Sequence, residues 1–133
     1  MVLYDNSLVR LNYNPVTDIL DVDCPDFHPL IMADVKEAFD VIVDTVKHYD
    51  VKKLVIDSSK ATIDTSDQEH RAVIIKFARD LMRTRLQKLA RVGTQDTLRE
   101  KNVHEATQNA AFSIPFQNFS DKAAAVAWLK KGV

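Results

Sequence analysis

Glycine is scarce in this sequence, since only Gly93 and Gly132 occur among 133 residues. A phosphate-cradling loop needs glycines so that its backbone amides can approach the phosphate. Neither GxxxxGK[ST] nor GxGxxG is present, so we expect no nucleotide-binding loop of either kind.

Disulfides and long apolar runs are also lacking. The single cysteine, Cys24, cannot form an internal disulfide, which fits a reducing compartment. No stretch approaches the roughly 20 apolar residues of a membrane-spanning helix, and residues 1–6 lack the pattern of a secretory signal. We therefore expect a cytoplasmic protein without a membrane span. With 46% hydrophobic and 28% charged residues, the chain is long enough to bury a core as one domain, residues 1–133.

Charge is distributed unevenly although the net charge is only −1. Residues 1–50 contain ten acidic and three basic side chains, whereas residues 51–133 contain nine acidic and 15 basic ones. One basic run stands out: Lys76, Arg79, Arg83, Arg85, Lys88 and Arg91. Such asymmetry can mark an interaction surface, or the two halves of one globule can neutralise each other. Nucleic-acid binding is not expected, because the chain is not strongly basic and shows no exposed stacking aromatics.

Hydrophobic periodicity predicts the elements of an α/β fold. Residues 8–13 and 19–24 alternate like two strands joined by a turn at residues 14–17, which indicates an antiparallel hairpin. The following pattern predicts helices over residues 30–49, 66–86, 96–111 and 121–131, separated by strands at 53–57, 89–92 and 114–119. Ser120 is the predicted N-cap of the last helix, and Pro115 indicates an edge position for the last strand. The order β-β-α-β-α-β-α-β-α predicts a mixed, mostly parallel sheet with helices packed on it.

Metal binding finds little support in the sequence. Cys24 and His28 have suitable spacing, but no second Cys/His pair completes a tetrahedral site. The carboxylates of four aspartates could supply oxygen ligands: Asp18, Asp21, Asp23 and Asp26. However, no EF-hand glycine or terminal Glu follows them. We interpret Asp21 and Asp23 as charges on the outward face of a strand that discourage edge-to-edge pairing. No metal or cofactor is expected.

Catalytic constellations are likewise not evident. No GxSxG elbow frames Ser58 or Ser59, and Cys24 falls on the inward face of its strand, which favours core packing over reactivity. The histidines fall in polar surroundings and are interpreted as surface residues: His28, His48, His70 and His104. We do not expect an enzyme.

One segment, residues 54–67, differs from the rest of the chain. A buried strand ending at Asp57 leads through a short loop into Asp64-Thr65-Ser66, at the start of a helix. Unsatisfied amides and the helix dipole favour an anion there, so a phosphate on Thr65 or Ser66 would lie in a suitable electrostatic site. Alternatively, both hydroxyls are helix caps. The sequences Ser66-x-x-Glu69 and Thr65-x-x-Gln68 each match a capping box, which explains them without regulation.

This segment resembles the STAS domain of bacterial anti-sigma-factor antagonists. In both, a strand ends in an aspartate, and a short loop leads to Asp-Ser/Thr-Ser/Thr at the start of a helix. The matching residues are Leu54-Val55-Ile56-Asp57 and Asp64-Thr65-Ser66. The whole layout, with its opening hairpin and its closing helix, also resembles the SpoIIAA-like branch of that fold, which is related to the CRAL-TRIO lipid-binding proteins.

The resemblance implies a non-enzymatic, regulatory protein-interaction module whose partner is a regulatory kinase or an anti-sigma-like protein. It implies that Thr65 is the phosphorylated position and that Asp57, Asp64, Ser66 and Asp67 belong to the same docking site. The family has glycine where this chain has Asp67, and a fixed carboxylate there could instead make the site permanently acidic. The alternative function is a carrier or sensor of a small apolar ligand or lipid of CRAL-TRIO type. Homodimerisation is compatible with so small a domain.

Overall fold

A computed structural model describes residues 2–5, 9–24, 32–59, 67–94 and 97–131. The described strands are β1 (Val2–Asp5), β2 (Arg10–Asn14), β3 (Ile19–Asp23), β4 (Lys53–Asp57), β5 (Lys88–Val92) and β6 (Phe116–Phe119). The described helices are α1 (Met32–Tyr49), α2 (Asp67–Met82), α3 (Thr97–Asn109) and α4 (Lys122–Lys130).

The described strands form one sheet in the order β1-β2-β3-β4-β5-β6. The first three strands pair antiparallel, and β3 through β6 pair parallel. The sheet is therefore mixed and mostly parallel, and the predicted hairpin is β2–β3. The predicted edge position after Pro115 is also confirmed, because β6 ends the sheet.

Strand β1 was missed by the sequence analysis. It has only four residues, which is too short for an alternating pattern, and a register irregularity between Val2 and Tyr4 interrupts its pairing with β2. The other strands and all four helices lie close to their predicted positions. Helix boundaries differ most at α2, which ends at Met82 rather than near residue 86.

Helices cover the two faces of the sheet unequally. Three successive parallel crossovers in one direction place α1, α2 and α3 on the same face. There the main core joins strand residues such as Leu20 and Leu54 to Ile42 of α1 and Leu81 of α2. Helix α4 lies on the opposite face, where Leu129 and Ala125 pack against Val55 and Ala90. The sheet thus positions the carboxyl ends of β3, β4 and β5 beside the start of α2.

Helix α4 begins differently from the sequence prediction. Asp121, not Ser120, is the N-cap: it has extended backbone angles, and its Oδ1 accepts a hydrogen bond from the Ala124 amide at 2.8 Å. The prediction of Ser120 was wrong by one position because Ser and Asp are both good caps and the sequence cannot choose between neighbours.

The cap assignment predicts unequal effects of two alanine substitutions. We expect Asp121→Ala to lower the free energy of unfolding by about 0.5–2 kcal/mol, because the Ala124 amide loses its acceptor. Ser120→Ala, at an exposed position, should change it by less than about 0.5 kcal/mol. Urea denaturation of the two variants measures both. A larger loss for Ser120→Ala would contradict the assignment.

Candidate functional site

The predicted docking site lies at the carboxyl edge of the parallel strands. Strand β4 ends at Asp57, and α2 begins at Asp67; residues 58–66, which join them, are called the β4–α2 connection below. Asp57 is paired in register with Asp23 of β3 and Val92 of β5. The carboxyl edge is where open α/β sheets most often bind their ligands.

Hydrogen bonds fix the first turn of the β4–α2 connection. Asp57 Oδ1 accepts from the Ser59 amide at 3.1 Å and from Ser59 Oγ at 2.6 Å. Ser58 is buried, with 6% of its surface exposed. Its amide and its Oγ both donate to the Val92 carbonyl at 3.2 Å. The connection therefore leaves the sheet from a fixed point, with Ser59 exposed.

Several of the predicted site residues fall outside the described part of the chain. Asp64, Thr65 and Ser66 lie there, so their role as phosphorylation site or helix cap stays a prediction. Asp67 is the first residue of α2, as the sequence predicts within one position. The next two side chains, Gln68 and Glu69, are exposed. Of the described residues, Asp57 lies where the sequence analysis put it, at the end of a strand buried on both faces.

His70 is buried, so its interpretation as a surface residue was wrong. It is 6% exposed and makes an interaction of its own. Its position could have been predicted, because His70, Ile74, Phe77 and Leu81 follow the four- and three-residue spacing of one helical face. The polar character of the residue masked that spacing. Burial of Ser58 and His70 means that both flanks of the β4–α2 connection are anchored in the core.

A buried ion pair lies beside this edge, after β5. Arg91 is 8% exposed and binds Glu100 of α3 through two hydrogen bonds, Nη1–Oε1 at 2.5 Å and Nη2–Oε2 at 2.9 Å. Thr94 Oγ1 donates to Glu100 Oε2 at 3.0 Å. Burial opposes ionisation of Glu100, but the hydrogen bonds and charge of Arg91, together with the hydrogen bonds of Thr94, outweigh it and lower the pKa of Glu100.

Gly93 lies next to the ion pair between Arg91 and Glu100. A Cβ at position 93 would collide with Glu100 Oε1, and the glycine does not have a positive φ. A side chain at position 93 would therefore displace the Glu100 carboxylate from its place beside Arg91, whereas the backbone conformation does not call for glycine.

Acidic side chains of β3 form a second polar cluster on the α4 face. Lys122 Nζ lies 2.7 Å from Asp21 Oδ2 and 3.2 Å from Asp23 Oδ1. Burial raises the pKa of Asp21, and the hydrogen bond and charge of Lys122 partly oppose that rise. The two carboxylates do share a face, but protection of an edge is the wrong explanation, because β3 lies between β2 and β4. No group of three or more candidate metal ligands is found within the described ranges.

An apolar cavity of about 100 Å³ lies between the sheet and helices α1, α2 and α3. Aromatic and aliphatic side chains form most of its described wall, including Phe39, Ile56, Phe77 and Leu89. Its polar side chains include Ser58, His70 and Arg91, which also flank the carboxyl edge.

Cys24 also contributes to this wall, on the inward face that the sequence analysis predicts. Burial raises the pKa of its thiol to about 11, so the sulfur is protonated near neutral pH. A protonated thiol is a poor nucleophile. The Cys24 side chain packs against the main core.

No helix in the described part of the chain is both long and apolar enough to cross a lipid bilayer.

Comparisons with known proteins bear on the fold. No protein-family model matches this chain, and no curated protein matches it. Among solved structures, it is similar to an uncharacterized protein of the DUF3478 family from Shewanella loihica PV-4, which is described as having a SpoIIAA-like fold. The TM-score is 0.55 at 15% sequence identity, and the similarity covers 95% of this chain and 97% of the other. At this identity the similarity is evidence about the fold alone.

Proposed function

We propose that this chain, which has the SpoIIAA-like fold, is a non-enzymatic module that docks a protein partner through the β4–α2 connection and the first turn of α2. We further propose that phosphorylation of Thr65 or Ser66 controls the docking. The partner class that the STAS resemblance implies is a regulatory kinase or an anti-sigma-like protein.

The anchoring of the β4–α2 connection is the observation that best supports the proposal. Ser58 on one side and His70 on the other are both 6% exposed, whereas the neighbouring Ser59, Gln68 and Glu69 are exposed. Anchored flanks hold exposed side chains at a defined place, which lowers the conformational entropy that a partner must remove on binding.

The negative charge of a phosphate would control the docking. A phosphate at Thr65 or Ser66 adds close to two negative charges at the N-terminus of α2, where the helix dipole favours an anion. Glu69 is exposed in the first turn of the same helix. The combined negative charge would change the electrostatic interaction with a partner's surface, so the phosphorylated and unmodified forms should differ in their affinity for that partner.

Glutamate substitution tests the docking site. We expect Thr65→Glu and Ser66→Glu to change the amount of a specific partner captured from extracts of the native host by at least about tenfold, because each adds a fixed charge at the proposed contact. Quantitative mass spectrometry of proteins bound to immobilised wild type and variants measures this change.

Ser113→Glu is the matched control. Ser113 is exposed and precedes β6, so it lies at the opposite edge of the sheet, and the variant carries the same added charge. Its capture profile should equal that of wild type. If Thr65→Glu and Ser66→Glu leave every specifically bound protein unchanged, docking through this site is refuted.

A second candidate function is carriage or sensing of a small apolar ligand, and the apolar cavity under α1, α2 and α3 favours it. A protein that carries such a ligand should retain it through gentle purification from the native host. Native mass spectrometry should then detect an added mass that disappears on denaturation. Protein that shows only its own mass would count against carriage.

A further inference from the structure

The cavity between the sheet and α1, α2 and α3 is large for the interior of so small a domain. Protein interiors contain few voids larger than one water molecule. A cavity of about 100 Å³ is well above the roughly 10–15 Å³ that one water molecule needs. Its wall comes from every helix on this face and from β4, β5 and β6. It therefore lies against the main core, between the sheet and these helices, and is partly open rather than fully enclosed.

Most polar groups of the described wall have partners in the protein, although the buried Nε of Arg99 makes no hydrogen bond. Ser58 Oγ donates to the Val92 carbonyl, and Thr107 Oγ1 donates to the His104 carbonyl at 2.8 Å. The guanidinium of Arg91 is bound to Glu100. His70 and Arg99 are engaged in interactions of their own. These side chains consequently contribute almost nothing polar to the accessible surface of the cavity.

An apolar surface selects the kind of occupant. A buried water needs two to four polar partners, and apolar cavities without them stay dry. An anion would lose its hydration without gaining hydrogen bonds, which is strongly unfavourable. A neutral apolar molecule loses little favourable hydration on entering the cavity, and it gains van der Waals contacts with the wall. Phe39 and Phe77, stacked with their ring centroids 4.1 Å apart, provide aromatic surface for such a molecule.

We propose that this cavity is a binding site for a small, uncharged apolar molecule no larger than a single aromatic ring. The inference rests on the second candidate function, ligand carriage or sensing, and narrows its ligand class. Pockets for drug-sized ligands measure about 300–1,000 Å³, so this site is too small to enclose a lipid chain. Apolar cavities of about 150 Å³ accept benzene or xenon, and those two molecules are the appropriate probes.

Thermal unfolding of the purified chain with and without benzene tests the site. Benzene near ten times its Kd should raise the Tm of wild type by about 3–6 °C, because it binds the folded state. Ala78→Leu should abolish this rise, since Ala78 is 4% exposed and lines the cavity. Ala72→Leu is the matched control: it is the same substitution on the same helix at an exposed position outside the cavity, and the rise should persist.

Two further measurements keep the outcome decisive. If Ala78→Leu does not fold, Ala38→Val, also in the cavity wall, replaces it. In addition, the ¹²⁹Xe resonance of dissolved xenon should shift with the concentration of wild-type protein and shift less with the filled variant. Absence of both the benzene response and the xenon shift in wild type overturns the proposal, as does an equal response in wild type and the filled variant.

Failure of the site and failure of the function can be told apart. A chain that binds benzene but retains no ligand from its host has the site without carriage. A chain that retains a ligand but does not respond to benzene carries it elsewhere. Docking through the β4–α2 connection is independent of either result, since no partner is present in these measurements.

Discussion

Replacing Arg91 by alanine should destabilise the protein by about 2–4 kcal/mol, because it leaves Glu100 partly buried without its counter-charge. Arg91 is 8% exposed and contributes both of the guanidinium hydrogen bonds to Glu100. Chemical denaturation at pH 7 measures the loss. A double variant, Arg91→Met/Glu100→Met, should be more stable than Arg91→Ala, because it removes the stranded carboxylate together with its partner.

The effect of Arg91→Ala should depend on pH in a defined direction. The pKa of Glu100 is lowered from its ordinary value of 4.5, so the ionised pair stabilises the folded state above pH 4.5. That contribution is lost as pH falls through the folded-state pKa. The difference in stability between wild type and Arg91→Ala should therefore shrink below pH 4.5. A difference that is constant from pH 7 to pH 3 would contradict the role assigned to the pair.

Replacing Lys88 by methionine should have the next largest effect, a loss of about 1–3 kcal/mol. Lys88 is 9% exposed. Its Nζ donates to the carbonyls of Trp128 at 3.3 Å and Lys131 at 3.1 Å, and it lies 5.0 Å from the Trp128 ring centroid. These carbonyls lie at the C-terminal end of α4, where the negative end of the helix dipole attracts a cation. Methionine keeps the apolar stem but removes the donor, so α4 should fray from its C-terminal end.

Lys130→Met is the control for this substitution. Lys130 is exposed in the last turn of α4, and its loss should change stability by less than about 0.5 kcal/mol. Hydrogen exchange of the α4 amides adds a local readout, which should accelerate in Lys88→Met and stay unchanged in Lys130→Met. Equal exchange in all three proteins would show that Lys88 does not hold the helix.

Lys88 and Arg91 both belong to the basic run that stands out in the sequence. A charge count cannot reveal that Lys88 and Arg91 lie on a central strand, one facing α4 and the other facing α3. Their partners are distant in sequence or are backbone carbonyls, and neither kind leaves a local pattern. Lys76 and Arg85, by contrast, are exposed, as charge in a helix or loop indicates.

Strand and helix positions were predictable because each element buries a face with a simple period. The hairpin β2–β3, the doubly buried β4 and the amphipathic α1 all show their patterns directly in the sequence. Strand β1 was not predictable from four residues, and the neighbouring caps Ser120 and Asp121 are chemically alike. Periodicity also indicates His70 on the inward face of α2, but an expectation that histidines are exposed outweighed it.

The candidate site was predictable to a smaller degree. Asp57 at the end of β4 and the start of α2 at Asp67 follow from the switch between strand and helix periods. Anchoring of the β4–α2 connection by Ser58 was not predictable, since its contact with Val92 depends on tertiary packing, whereas the inward position of His70 follows from helical spacing. The cavity could not be predicted either, because a void is set by how neighbouring side chains fail to fill a space rather than by any sequence pattern.

Phosphopeptide mass spectrometry tests most directly whether the β4–α2 connection is a regulated docking site. Protein is purified from its native host with phosphatases inhibited, and a tryptic digest releases residues 61–71, which contain Thr62, Thr65 and Ser66. Phosphopeptides from other host proteins in the same extract confirm that phosphate was preserved. We expect a phosphate localised to Thr65 or Ser66. A peptide recovered only in unmodified form across growth conditions would contradict phosphorylation control and leave both hydroxyls as helix caps.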